Sequence, residues 1–207
     1  MSRKHMLPHL IEEGLLSEAE RRALFDLVMA DRAGFASGDL RGGKRHTVKR
    51  VAQIMAVPPP FQSVLRERLL ARVPGWAAAL GMGRLEVGEI ELQCAAHGDG
   101  AFYRPHIDIE TGDKSRPSRW RALSIVYYVH GPESGFTGGA LRFHGFMSGG
   151  ERPFVDIEPR SGRMVIFPSF APHEVRPVSC PSGDAADWRM AINCWVQRCC
   201  TGDGQEA

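Results

Sequence analysis

An imidazole and a carboxylate stand two residues apart in the stretch YRPHIDIE, residues 103–110, whose texture is that of a β-strand. On a strand, His106 and Asp108 project from one face with Cα atoms about 6.6 Å apart, a gap that one metal ion can bridge. A nitrogen and an oxygen ligand call for a third, and His173, opening the strand-like segment of PSFAPHEVRPV, supplies it. Two histidines and one carboxylate on one face of a metal leave positions open for a co-substrate and dioxygen, the pattern diagnostic of non-haem Fe(II) oxygenases. An oxygenase that takes a dicarboxylate co-substrate also needs a fixed cation deep in its pocket, and arginine offers a planar fork for a carboxylate. Arg189 heads the last strand-like run, where Arg189, Ala191, Asn193 and Trp195 share one face and Met190, Ile192, Cys194 and Val196 the other. A charged residue at the head of an inward stripe needs a counter-ion.

The remaining histidines read differently. His5, His9 and His46 lie in polar flanks and are expected at the surface. His97 and His144 at turn edges, and His130 just past a strand end, read as hydrogen-bonding structural residues.

Two kinds of texture must position these groups. Ser17 with Glu20 forms a capping-box pattern, followed by Leu24, Phe25, Val28 and Met29 at helical spacing. Residues 31–50 are Gly-rich and basic and read as a mobile loop. Pro58-Pro59-Pro60 then starts a second helix through Phe61, Val64, Leu65, Leu69 and Leu70, with an interruption expected near Pro74. Up to Leu80 the chain reads as helical scaffold, and Gly81-Met82-Gly83 marks the boundary. Beyond it, strands are expected at Leu85–Ala96, Phe102–Ile109, Ala122–His130, Ala140–His144, Phe154–Ile157, Arg163–Phe167, Glu174–Val178 and Arg189–Val196, separated by Gly-rich turns. Short strands at this spacing predict a closed or double-sheet β structure, with a jelly roll first. The expected organisation is one domain over 1–207: helical support over 1–84, a β catalytic core over 85–198 and a tail over 199–207.

Composition narrows the class. At 207 residues with ordinary apolar content the chain can bury a sizeable core, and no apolar run long enough to span a membrane is present. The N-terminus has no apolar stretch of the kind that directs secretion. Five cysteines, odd in number and without CxxC spacing, argue against a disulfide framework or a zinc knuckle and fit a reducing cytoplasm. Cys94 and Cys194, inside strand-like runs, read as small core residues. The net charge is only +2, but Arg32, Arg41, Lys44, Arg45, Lys49 and Arg50 form one basic segment and Lys114, Arg116, Arg119 and Arg121 another. These are either solvated loops or the borders of a site for an anionic substrate or a nucleic acid.

Six motifs, HIDIE, SIVYYVH, GFTGGALRFHG, VDIEPRSGRMVIFPS, HEVRPV and WRMAINCWV, occur in this order between about Gly88 and Val196. Together they closely resemble the prolyl-4-hydroxylase-like branch of the Fe(II)/2-oxoglutarate dioxygenases. The resemblance implies a double-stranded β-helix, the cupin-like form of the jelly roll, with N-terminal helices; the fold class is mainly β within α+β. It implies His106, Asp108 and His173 as iron ligands, and Arg189 with Tyr128 as partners of the distal carboxylate of 2-oxoglutarate. Tyr103 matches an aromatic residue lining the pocket, and Trp195 one on the last strand. Where the hypoxia-sensing prolyl hydroxylases carry a pocket tyrosine ten residues before the first ligand, this chain has Ala96, and the loop from Ser179 to Trp188 is longer.

The implied cofactors are Fe(2+) and 2-oxoglutarate as co-substrate, with ascorbate in support. The implied reaction is hydroxylation of an unactivated C–H, with release of succinate and CO2. The expected substrate is a prolyl or other amino-acid residue in a peptide or protein, or an amino-acid-derived small molecule. One alternative is a nucleic-acid demethylase on the same fold, which the basic segment favours. Such enzymes usually carry a second arginine six residues after the first, where this chain has Trp195. The other alternative is a non-catalytic cupin-like metal-binding module.

Overall fold

The computed structural model describes residues 6–38, 40–41, 44–45, 50–110, 117–131, 133, 135–146 and 153–199. Along the chain it forms β1 (Leu10–Glu12), α1 (Glu18–Ala30), β2 (Ala36–Ser37), β3 (Leu40–Arg41), β4 (Lys44–Arg45), β5 (Arg50–Val51), β6 (Gln53–Met55) and α2 (Pro59–Ala79). There follow β7 (Val87–His97), β8 (Phe102–His106), β9 (Arg121–Tyr128), β10 (Thr137–Gly138), β11 (Leu141–His144) and β12 (Phe154–Ile157). The last strands are β13 (Met164–Pro168), β14 (His173–Val175), β15 (Val178–Ser179) and β16 (Arg189–Arg198).

Two antiparallel sheets carry the fold. A seven-stranded sheet has the order β1-β13-β9-β16-β7-β6-β2, and a five-stranded sheet the order β12-β11-β14-β8-β5. This is the double-sheet jelly roll, in the double-stranded β-helix arrangement. Period-two alternation along β9 and β16 gives each sheet face its own core. Leu123, Ile125, Tyr127, Met190, Ile192, Cys194 and Val196 join Leu24, Leu69 and Trp76 of the helices in one cluster. Val126, Tyr128 and Ala191 meet Phe143, Phe167 and Val175 in the other, between the sheets. Cys94 and Cys194 are fully buried, and burial pushes the Cys94 thiol up to about 12.

The helices brace the back of the large sheet. Ser17 caps α1 in a complete capping box with Glu20. Glu20 also accepts two hydrogen bonds from the Arg68 guanidinium at 2.9 and 2.7 Å, tying α1 to α2. The expected break at Pro74 does not occur, because α2 runs through it to Ala79. Pro74 removes a donor on the exposed side, next to the half-exposed Leu70, where a freed carbonyl reaches water.

The N-terminal part is less purely helical than its sequence suggests. β1 pairs with β13, β6 with β7 and β5 with β8, so short strands from this part extend both sheets. The segment expected as a loop over 31–50 includes β2 and the β3–β4 pair. Lys49, Lys114 and Arg116 of the basic segments, the turn at Ser148-Gly149-Gly150 and the tail beyond residue 199 lie outside the described residues. Among the described residues no helix is long and apolar enough to cross a membrane.

Candidate functional site

Strand register brings the two histidines together. His106 ends β8, His173 begins β14, and the two are direct cross-strand partners. Their ring centroids are 4.2 Å apart. Asp108 reaches them by a different route from the one its spacing suggests. The expected strand to Ile109 stops at His106, because Pro172 precedes the partner strand and the ladder cannot continue. Instead the Asp108 N–H donates to the Ser169 carbonyl at 2.9 Å, and the chain turns to bring the carboxylate inward. Asp108 Oδ1 lies 3.7 Å from His106 Nε2, and its Oδ2 lies 3.7 Å from His173 Nε2. One ligand atom from each residue falls within 4.8 Å of the others, a group able to hold a metal ion. For metal–ligand bonds of about 2.1 Å, ligand atoms at right angles stand about 3 Å apart and opposite ones about 4.2 Å, so 3.7 Å is compatible with a shared ion.

Neighbouring groups set the presentation of each ligand. His106 Nδ1 faces the Arg104 carbonyl at 2.8 Å and His173 Nδ1 the Ala171 carbonyl at 2.9 Å. With Nδ1–H donating, both rings offer the Nε2 lone pair to the shared centre. The Ser124 hydroxyl donates to Asp108 Oδ2 at 2.6 Å, and Ser169 stands 2.9 Å from Ser124. Burial first, then the neighbouring His173, takes the His106 pKa down to about 3. Burial alone would raise that of Asp108, but the two histidines and the Ser124 hydroxyl outweigh it and hold the carboxyl below its usual value. Tyr103 stacks on His106 with centroids 3.5 Å apart, and Arg50 lies over its ring at 5.0 Å.

These ligands open into a cavity of about 480 Å³, within the range of small-molecule sites. Its floor is the paired inner faces of β16 and β7. Arg189 faces His97, Ala191 faces Ala95, Asn193 faces Gln93 and Trp195 faces Glu91. Arg189 is 1% exposed. Its Nε donates to the Gly139 carbonyl at 2.7 Å, and Nη2 donates to the Tyr128 hydroxyl at 3.3 Å. Gly139 has φ +69°, and a Cβ there would stand 2.6 Å from Arg189 Cδ, so glycine is needed to cradle the arginine. Among the described residues no carboxylate pairs with Arg189. Arg121 and Arg142 bind Glu91 at 2.8 Å and Asp156 at 2.6 Å. A buried guanidinium without a carboxylate, in the same cavity as the metal cluster, suits one end of a dicarboxylate.

Several residues of the site were not singled out in the sequence. Ser124 carries a signal in retrospect, as the lone polar residue in the buried run ALSIVYYV. His97, expected as a hydrogen-bonding residue at a turn edge, instead lines the cavity, and neither ring nitrogen has a hydrogen-bond partner among the described residues. Ala96 belongs to the core behind the sheet. Trp195 sits under the Arg121 guanidinium at 4.0 Å.

A double-sheet jelly roll with two histidines and a carboxylate beside a buried arginine defines the class as a non-haem iron oxygenase. Comparison with known proteins agrees. The model of the 2OG-Fe(II) oxygenase superfamily matches residues 92–197, and the chain belongs to that superfamily. A PKHD-type hydroxylase of Synechocystis sp., itself uncharacterized, is 33% identical over 145 residues, covering 68% of this chain and 46% of the relative. The chain thus spans about half the length of that curated relative. The crystal structure of a Pseudomonas putida prolyl-4-hydroxylase is similar at 26% identity and a TM-score of 0.65, over 95% of this chain and 94% of that one. A Trichoplax adhaerens prolyl hydroxylase, in complex with a hypoxia inducible factor peptide fragment, has a TM-score of 0.66 at 20% identity, over 93% and 84%. The protein is therefore a prolyl-4-hydroxylase-like 2OG-Fe(II) oxygenase, and the family's iron and 2-oxoglutarate are its implied cofactors.

Proposed function

We propose that this chain hydroxylates an unactivated C–H of an amino-acid residue, with a prolyl residue of a peptide or protein first and an amino-acid-derived small molecule second. The observation that carries the reading is the buried Arg189, lacking a carboxylate partner among the described residues, in one cavity with His106, Asp108 and His173. The prolyl preference is supported by the likeness to the Pseudomonas putida enzyme, and a peptide by the fragment held in the Trichoplax adhaerens one.

In this reading His106, Asp108 and His173 hold Fe(II), while Arg189 and Tyr128 receive the distal carboxylate of 2-oxoglutarate. When bound, iron and 2-oxoglutarate supply the oxidation: one oxygen atom of O2 enters the substrate C–H as hydroxyl, and the other leaves in succinate as CO2 is lost. The chain's own share is positioning. The Arg104 and Ala171 carbonyls hold the Nδ1–H tautomers, Ser124 orients the Asp108 carboxylate, and the Tyr103 ring fixes the plane of His106. Arg189 and Tyr128 hold the co-substrate at the far end, so its reacting end meets the metal in one orientation. Ascorbate is proposed as a supporting reductant, a single oxygenase domain as the unit, and a reducing cytoplasm as the compartment.

Mass spectrometry tests the reading. Candidate peptides incubated with enzyme, Fe(II), 2-oxoglutarate and ascorbate should gain one oxygen on a prolyl residue. A gain confined to nucleic-acid bases, or no gain alongside absent succinate, would overturn it.

A further inference from the structure

His97 closes β7 and is only 4% exposed, yet neither of its ring nitrogens has a hydrogen-bond partner among the described residues. Buried polar atoms are nearly always satisfied, and a ring with both nitrogens unmet is satisfied only by what enters the space it faces. That space is the cavity shared by Arg189 and the metal-ligand cluster. The position is set by register, since His97 is the direct cross-strand partner of Arg189 and both lie on the inner face. Burial first, then the charges of Arg189 and Arg50, holds the His97 pKa well below its ordinary value. The ring is therefore neutral near pH 7, with one N–H donor and one acceptor. His130 adjoins Arg189 too and is also held neutral, but it does not line the cavity.

Around Arg189 the pattern is consistent. The guanidinium brings one positive charge, Gly139 and Tyr128 fix its orientation, and the neighbouring imidazoles add dipoles without adding charge. A fixed guanidinium with an adjacent neutral donor suits a carboxylate.

We propose that His97 is a co-substrate-binding residue, donating its ring N–H to the carboxylate that Arg189 receives, so that the cavity chooses a 2-oxo dicarboxylate over a 2-oxo monocarboxylate. The inference rests on the reading of this cavity as the 2-oxoglutarate site and adds the group that sharpens its selectivity.

Binding rather than turnover tests it. Protein loaded with Mn(II) in place of iron is titrated calorimetrically with 2-oxoglutarate and with 2-oxopentanoate, which keeps the 2-oxo acid and lacks the distal carboxylate. His97→Phe should weaken 2-oxoglutarate by roughly ten- to a hundredfold, as expected for one hydrogen bond to a charged group, and leave 2-oxopentanoate within about twofold. His97→Gln, which keeps a donor, should recover most of the difference. His97→Leu serves in place of His97→Phe if thermal unfolding shows that the phenyl ring is not accommodated. Equal weakening of both ligands would mean that His97 acts through packing, and unchanged 2-oxoglutarate affinity would mean that it makes no contact; either result overturns the proposal. Absence of Mn(II)-dependent 2-oxoglutarate binding by the unaltered protein would overturn the site reading itself, and this inference with it.

Discussion

Replacing Arg189 by Met separates what the guanidinium does for a ligand from what it does for the fold. In the free protein the substitution uncovers the Gly139 carbonyl and the Tyr128 hydroxyl, which Arg189 meets at 2.7 and 3.3 Å. Each group left unsatisfied costs about 1–3 kcal/mol. Against this, the substitution removes a cation that is 1% exposed and has no carboxylate partner among the described residues. Burying such a charge costs several kcal/mol, and replacement by an apolar side chain of similar volume is often neutral or stabilising. The opposing effects are of similar size, so the unfolding free energy of Arg189→Met should stay within about 2 kcal/mol of the parent. Binding behaves differently. A carboxylate that enters the cavity loses its charge partner, a change of about 2–5 kcal/mol, or roughly thirtyfold to several thousandfold in affinity. Thermal unfolding without ligand reads the first quantity, and calorimetric titration of Mn(II)-loaded protein with 2-oxoglutarate reads the second. The reasoning is refuted if affinity is unchanged while the variant folds, since some other group must then hold the carboxylate.

Asp108→Ala and His173→Ala should each abolish binding of one Fe(II) per chain, by equilibrium dialysis, with the far-ultraviolet circular dichroism unchanged. Ser124→Ala removes the 2.6 Å hydrogen bond to Asp108 and should weaken metal binding by roughly ten- to a hundredfold, with Ser124→Thr restoring it. Acid should destabilise the metal-free fold through His97, His106 and His130, whose pKa values lie below the ordinary 6.5, that of His106 at about 3 and that of His130 at about 4. Above about pH 6.5 neither folded nor unfolded chain holds these protons, whereas below it the unfolded chain binds protons that the folded one refuses, so stability falls with pH. The slope is about 1.4 kcal/mol per pH unit for each of these groups that stays deprotonated in the fold, and urea unfolding between about pH 6 and 4.5 should show it. His97→Gln should make the slope shallower; a flat profile in the parent would contradict the burial argument.

The long strands were legible because each carries its own pattern. In β16 the apolar residues Met190, Ile192, Cys194 and Val196 alternate with a mixed face, and glycine turns mark the ends of its neighbours. The two- and three-residue strands β2, β5 and β6 were not legible, because they exist through pairing with distant strands, as Arg50 does with Tyr103 and Ile54 with Ala95. Pro74 misled because propensity says where a proline is unfavourable, while tolerance depends on which side of the helix faces water. At the site, the short spacing from His106 to Asp108 drew attention to the right pair for a partly mistaken geometric reason. The strand ends between them, and the turn held by Ser169 completes the approach. His97 could not be read from local sequence, since the last residue before a turn faces inward or outward according to its register with β16, a long-range property.

The central claim is that His106, Asp108 and His173 hold the iron with which this chain couples O2 to the oxidation of 2-oxoglutarate. Succinate formation measured against oxygen consumption, with and without Fe(II) and 2-oxoglutarate, for the parent and for Asp108→Ala, tests it most directly. The account predicts one succinate per O2 in the parent only when both cofactors are present, and none in the variant. Equal succinate release by Asp108→Ala, or oxygen consumption by the parent that does not depend on 2-oxoglutarate, would contradict it.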